Sequence, residues 1–279
     1  MDSPQNIISF CTGYGGLELG LERAGVDVRP VCYLEIEAYV QALLVKEIEE
    51  GRMAPAPIWT DLKTFDASSF RGKVDGVTCG YPCQPFSAAG KRLGEKDPRH
   101  LWLKIREHIN TIGARWVFAE NVYGHLSLGL PTVFSDLEED GYRVEAGIFS
   151  AEEVGAPHQR KRVFILGYSE HDRLHGSEIR RGSEKNCNRS QKGEKASKQS
   201  EGTSGRENLQ NLSGAKLFPA RPNQEQYEWE PPRTIESGLG RSSDGSDHRI
   251  DRLRLLGNGV VPQTAELAWK TLWRKMNER

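Results

Sequence analysis

The segment Gly80-Tyr81-Pro82-Cys83-Gln84-Pro85-Phe86-Ser87 sets a cysteine between two prolines, shortly after an apolar run. Proline fixes φ, so Pro82 and Pro85 stiffen the loop on both sides of Cys83. Gly80 lets the backbone turn or approach a ligand closely. A nucleophile needs this presentation, because its side chain must point out of the fold and stay in place. A buried, inert loop cysteine is the ordinary alternative. Glu120 follows the apolar run Trp116-Val117-Phe118-Ala119. A carboxyl at a partly buried strand end tends to take on the raised pKa of a proton donor; its plain alternatives are an acid in a helix N-cap region or a salt-bridge partner. Arg160, Lys161 and Arg162 precede Val163-Phe164-Ile165-Leu166. Their donors could hold a base carbonyl, a phosphate or a carboxylate, or simply form a solvated basic cluster.

A second group could bind a cofactor. Thr12-Gly13-Tyr14-Gly15-Gly16 lies between an apolar run and a helical pattern. Such glycines allow a tight turn and close approach of a ligand to the backbone. Glu35 ends the next apolar run and can accept hydrogen bonds from ribose hydroxyls. With Asp61 at a third strand end, the set suggests a nucleoside-bearing cofactor. No Gly-Lys-Ser/Thr follows the turn, which points away from ATP. Taken singly, Glu35 reads as a solvated acid near a helix start.

The elements that position these residues alternate. Strands are expected at 7–10, 31–34, 58–59, 74–77, 116–119, 142–149 and 162–168. Helices are expected at 16–24, 38–50, 101–112, 133–140 and 264–276, with apolar residues at helical spacing. This order predicts an α/β, doubly wound, mostly parallel sheet with helices on both faces. Ligand residues then sit at the carboxyl ends of strands, where Glu35, Asp61, Cys83 and Glu120 fall.

Length and composition bound the rest. A chain of 279 residues fits one large domain, or one with a smaller appendage. The hydrophobic share of 37% is low and the charged share of 28% slightly high, so part of the chain lies outside the core. Net charge is −1, which does not announce a nucleic-acid binder but leaves room for a local basic surface. The five cysteines (11, 32, 79, 83 and 187) are odd in number and form no C-x-x-C pair. Neither a metal site nor a disulfide framework is supported, and reduced thiols are expected. The N-terminus has no signal-peptide pattern and no run is long enough to cross a bilayer, so a soluble, cytoplasmic protein is expected. Residues 169–214 are rich in Ser, Gly, Lys, Arg, Glu, Asn and Gln. Such a stretch buries too little apolar area to offset its ordering entropy, and is expected to be mobile. It reads as a solvated linker, or as an arm whose Arg180, Arg181 and Lys185 meet phosphates. Order is expected to return near 217–229.

The motifs together resemble the prokaryotic C5-cytosine DNA methyltransferase family. Gly13-Tyr14-Gly15-Gly16 resembles its cofactor loop, Glu35 its ribose acid and Asp61 its adenine-amine acid. Pro82-Cys83-Gln84 resembles the catalytic motif, Glu120-Asn121-Val122 the Glu-Asn-Val motif, and Arg160 and Arg162 the arginines of Gln-x-Arg-x-Arg. Gly257-Asn258-Gly259-Val260 resembles the late motif. The resemblance implies a methyltransferase Rossmann-like fold on 1–167, a small target-recognition region over 168–230, and a segment 231–279 that returns to the catalytic domain. It implies S-adenosyl-L-methionine as cofactor, with Ile36, Leu62, Pro82, Leu101, Asn258 and Val260 added to its site. It implies double-stranded DNA as substrate, contacted by Gln84 and Ser87 as well as the basic residues, and a flipped cytosine. A monomer is expected, with a restriction endonuclease of the same specificity as a possible cellular partner. Two positions depart from the pattern. Cys11 stands where the family carries a cofactor-covering Phe, with Phe10 one residue earlier, and His158 stands where the family carries Gln.

Overall fold

The computed structural model describes residues 4–82, 99–169 and 257–278. Cys83, Gln84, Ser87, Arg180, Arg181 and Lys185 lie outside them, as do the stretches 170–214 and 217–229. Ser169, expected to open the mobile stretch, is buried, and its N–H donates to the Arg115 carbonyl at 2.8 Å.

Among the described residues seven strands form one sheet: β1 (Gln5–Phe10), β2 (Val28–Leu34), β3 (Ile58–Trp59), β4 (Gly76–Cys79), β5 (Trp116–Val122), β6 (Arg143–Phe149) and β7 (Arg162–Tyr168). Their order is β3-β2-β1-β4-β5-β7-β6. The first five run parallel, and β7 lies antiparallel to both β5 and β6. The helices are α1 (Gly16–Arg23), α2 (Ala38–Glu49), α3 (Arg99–Ile112), α4 (His125–Leu128), α5 (Leu130–Glu139) and α6 (Pro262–Asn277). Short 3-10 turns at Ala67–Phe70 and Glu152–Val154 complete the described elements.

Both faces of the sheet are apolar, as a helix-covered parallel sheet requires. Side chains alternate along each strand. Ile7, Trp116, Phe118, Phe164 and Leu166 pack with α1 and α6 on one face. Ile8, Val117, Ala119, Val163 and Ile165 pack with α3 and α5 on the other. On the first face, Trp269 of α6 sits edge-on to Trp116 and Phe118, with centroids 5.1 and 5.2 Å apart. Gly20 allows α6 this close: a Cβ there would lie 2.4 Å from the Ala265 methyl. On the second face, Arg106 of α3 reaches Asp136 at 2.6 Å and Asp140 at 2.7 Å, tying α3 to α5.

Several boundaries differ from expectation, and two of them matter to the site. β4 runs two residues later than 74–77, so its carboxyl end reaches Gly80-Tyr81. Gly76 holds ladder positions beside Ile7 and Trp116, and only glycine fits there, since a Cβ would lie 2.0 Å from the Trp116 ring. β5 continues through Glu120 and Asn121 to Val122, since all three hold ladder positions opposite β7.

Candidate active site

The chain leaves β1 toward β2 on one side, while β4 lies on β1's other side. This reversal opens a crevice beyond the carboxyl ends of the strands. A cavity of ≈ 510 Å³ fills it. Cys11 after β1, Glu35 after β2, Asp61 after β3, Gly80 to Pro82 after β4 and Glu120 to Val122 on β5 all line it. Gly257, Asn258 and Gly259 close the wall from the C-terminal segment.

At one end the acids hold backbone. Glu35 accepts from the Gly13 N–H through Oε2 and from the Glu37 N–H through Oε1, both at 2.9 Å. One carboxylate thus orders the glycine turn and the start of α2. Asp61 Oδ1 accepts from the Lys63 N–H at 2.9 Å. Beside them Ile36 is 71% exposed and lines the cavity. A side chain that apolar and that uncovered offers a flat-ring ligand a face to rest on. Leu62 and Leu101 add further apolar wall.

At the other end Glu120 and Arg162 meet. On antiparallel β5 and β7, Val122 pairs with Arg162 and Glu120 with Phe164. Glu120 and Arg162 are therefore diagonal neighbours on one sheet face, within reach of long side chains. Arg162 Nε lies 2.9 Å from Glu120 Oε1. The contact is an ion pair and not an aligned hydrogen bond, so Oε1 has no hydrogen-bond partner among the described residues. Glu120 is 5% exposed. Burial pushes its carboxyl up to about 7, against the opposing charges of Arg162 and Arg160. It is a carboxyl poised to hold or release a proton near neutrality.

Five residues expected to touch ligand do not line the cavity. The Tyr14 hydroxyl donates to the Val260 carbonyl. Gly15 caps α1 at φ 81, a left-handed conformation that favours glycine. Gly16 lets Val260 in: a Cβ there would lie 2.3 Å from the Val260 carbonyl oxygen. Arg160 donates through Nη2 to the Gly257 carbonyl at 2.8 Å and to that of Gly259. Tyr14, Gly16, Arg160 and Val260 therefore seat the 257–260 segment against the glycine turn. Their effect on a ligand runs through that segment. These contacts join residues far apart in sequence, and no local pattern announces them.

The sequence reading missed Tyr39, Thr60, Lys63 and Tyr81 as cavity walls. Thr60 and Lys63 flank Asp61, so their adjacency was the available signal. Phe10 is fully buried against Phe65 and His108, away from the cavity, while Cys11 takes the place on its wall. Burial, reinforced by Glu35, pushes the Cys11 thiol up to about 12. His158 is exposed and does not line the cavity. No helix among the described residues is long and apolar enough to cross a membrane, and no cluster of His, Cys, Asp or Glu there could hold a metal ion.

Known proteins share this plan. The Dnmt2 methyltransferase of S. pombe superposes with a TM-score of 0.51 at 22% identity, over 60% of this chain and 52% of that one. That likeness concerns the fold. Among curated proteins, the Type II methyltransferase M.PspPI of Psychrobacter sp. (strain TA137) is 34% identical over 172 residues, 58% of this chain and 39% of the relative. M.NlaX of Neisseria lactamica, also a Type II methyltransferase, is 31% identical over 171 residues, 60% of this chain and 53% of the relative. The chain thus spans about half the length, or less, of these relatives. The family model described as C-5 cytosine-specific DNA methylase matches residues 5–235, which takes in the glycine turn, both acids, the Pro-Cys-Gln loop and the Glu120–Arg162 pair. By that match the chain belongs to the C-5 cytosine-specific DNA methylase family.

Proposed function

We propose that this protein methylates C5 of cytosine in a specific double-stranded DNA sequence, with S-adenosylmethionine as methyl donor. The observation that carries the reading is the buried Glu120 carboxyl beside Arg162, facing the same cavity that Glu35, Ile36 and Asp61 line at its other end. The cavity fits the cofactor in chemistry as well as size. The Glu35 and Asp61 carboxylates offer acceptors suited to ribose hydroxyls and an adenine amine, and Ile36, Leu62 and Leu101 offer apolar wall suited to a purine. When bound, S-adenosylmethionine supplies an electrophilic methyl group.

The chain's own residues supply the rest. The Cys83 thiolate adds to cytosine C6, forming the S–C6 bond and moving an electron pair toward N3. Glu120 gives its proton to N3, so the ring becomes a neutral enamine with a nucleophilic C5. Arg162 donates to the O2 carbonyl and stabilises charge that develops there. After C5 has gained its methyl group, N3 returns its proton to Glu120, and loss of the C5 proton to solvent water expels the Cys83 sulfur as thiolate and restores the aromatic ring. The base must leave the duplex to reach this centre, at a cost of a few kcal/mol. We extend the Type II role named for the relatives to this chain: a monomer that marks host DNA against an endonuclease of the same specificity, without a stable complex. Arg180, Arg181 and Lys185 would add phosphate contacts that are blind to sequence.

Bisulfite sequencing of DNA from cells expressing the protein tests the reading. The expected result is methylated cytosine in one short context. An enzyme active on RNA oligonucleotides and inactive on duplex DNA would replace the DNA reading with an RNA one. The cofactor end has its own test. Asp61→Ala should weaken S-adenosylmethionine binding by roughly 1.5–3 kcal/mol, the worth of one hydrogen bond to a charged group. Titration calorimetry with unchanged affinity would remove Asp61 from the site.

A further inference from the structure

Two segments meet at the reacting end of the cavity, and a buried tyrosine–histidine pair joins them. The first is Gly80-Tyr81-Pro82, which leads directly into Cys83. The second is the end of β5 from Glu120, which runs through Asn121 and Val122 and a short turn into α4. Tyr81 and His125 are 5% and 3% exposed. The Tyr81 hydroxyl lies 2.8 Å from His125 Nε2. Their rings stand edge to face, with centroids 5.5 Å apart, and Tyr81 also packs on Trp102 at 5.4 Å. A second bond runs beside this one: Asn121 Nδ2 donates to the Tyr81 carbonyl at 3.1 Å. Burial holds the His125 imidazole below its ordinary pKa, so it is neutral near pH 7.

We infer that Tyr81 and His125 are a positioning pair for the proposed reaction. They fix the segment that enters the nucleophile's loop to the segment that leaves the proton donor. Neither touches the reacting atoms; the pair acts through Cys83 and Glu120. The aromatic packing would hold Tyr81 without its hydroxyl, so the hydrogen bond adds direction to a contact that already exists. Direction matters here because S–C6 bond formation and proton delivery to N3 must fall on one ring at once. A misplacement of about 1 Å in such a centre costs on the order of a hundredfold in rate.

The inference rests on the reading of Cys83 and Glu120 as reacting partners, so the experiment has two arms. Tyr81→Phe keeps the ring and removes only the hydroxyl. It should slow covalent capture of 5-fluorocytosine DNA by about tenfold or more, with KM values and melting temperature near those of the wild type. His125→Ala should do the same, and His125→Gln, whose amide can occupy the Nε2 position, should recover most of the rate. The second arm is hydrogen–deuterium exchange of peptides covering 79–86 and 120–128. In Tyr81→Phe both should exchange faster together, whether or not any DNA is captured. Capture as fast as the wild type's, or exchange unchanged in both peptides, would overturn the pair. A rate that fell only in proportion to lost folded protein would also overturn it. A wild type that captures no DNA, with exchange rising as expected, would count against the proposed function and leave the pair standing.

Discussion

Cys83→Ser is expected to abolish methyl transfer, a loss on the order of 10⁶-fold, as when other catalytic nucleophiles are removed. The thiolate is the attacking form of cysteine, and only a cysteine whose thiol ionises easily can serve. The described cysteines cannot. Burial pushes Cys11 up to about 12 and Cys32 up to about 11, and holds Cys79 well above its ordinary value. Each stays a neutral thiol at physiological pH. Cys83 and Cys187 remain, and Cys83 follows Pro82, which lines the cavity. A serine hydroxyl in the same place is a far weaker nucleophile without a base to activate it. DNA carrying 5-fluorocytosine separates the steps, because fluorine at C5 cannot leave as a proton does and the adduct accumulates. The wild type and Cys187→Ser should form that adduct; Cys83→Ser should not. Cofactor affinity should stay unchanged, since the Glu35 and Asp61 end does not involve the thiol. A Cys83→Ser enzyme that methylates at a normal rate would remove the residue from the mechanism.

The motifs and the order of elements were legible in the sequence because both are local. Apolar runs alternating with amphipathic stretches name a doubly wound sheet. Such a sheet presents the ends of β1, β2, β3, β4 and β5 to one crevice, which is why Glu35, Asp61 and Glu120 could be grouped before any geometry was known. What the sequence did not show depends on partners far along the chain. Glu18 falls on the buried side of α1, an improbable place for an acid by pattern. There the Thr78 hydroxyl of β4, sixty residues on, donates to it. Burial raises its pKa accordingly. Tyr14 and Arg160 sit inside convincing motifs, yet they spend their polar atoms on carbonyls of the 257–260 segment. Motif membership placed them near the site and said nothing of where their side chains turn. The continuation of β5 through Glu120 was hidden for a related reason. A charged residue reads as a strand end unless its countercharge is known, and Arg162 becomes a neighbour only once β7 is antiparallel to β5.

That countercharge makes Glu120 the most informative titration in the molecule. If Glu120 delivers its proton to the cytosine ring, the active free enzyme is the protonated one. The value of kcat/KM should then be level below about pH 7 and fall as pH rises through it, because the carboxyl sits at about 7. Glu120→Gln cannot deliver a proton. It should lose two orders of magnitude or so in rate, comparable to the loss of one donor to a developing charge, and lose the pH break with it. Stability should carry the same signature independently of activity. The carboxyl has an ordinary value of 4.5 and a folded value of about 7. Between these values the folded chain holds a proton that the unfolded chain has released. The stabilisation from that proton is fully present below about 4.5 and is lost as pH climbs to about 7, by roughly 3 kcal/mol. Denaturant titrations across that window should show a falling slope in the wild type that Glu120→Gln removes. Arg162 adds a sign that a merely buried acid would not show. Its charge holds the Glu120 value down, so Arg162→Ala should push the carboxyl higher and carry the stability loss to higher pH. A stability profile flat from pH 4.5 to 7, or one that moves to lower pH in Arg162→Ala, would mean that Glu120 is ionised in the resting enzyme. It would then act as an acceptor toward the base, and the proton at N3 would have to come from elsewhere.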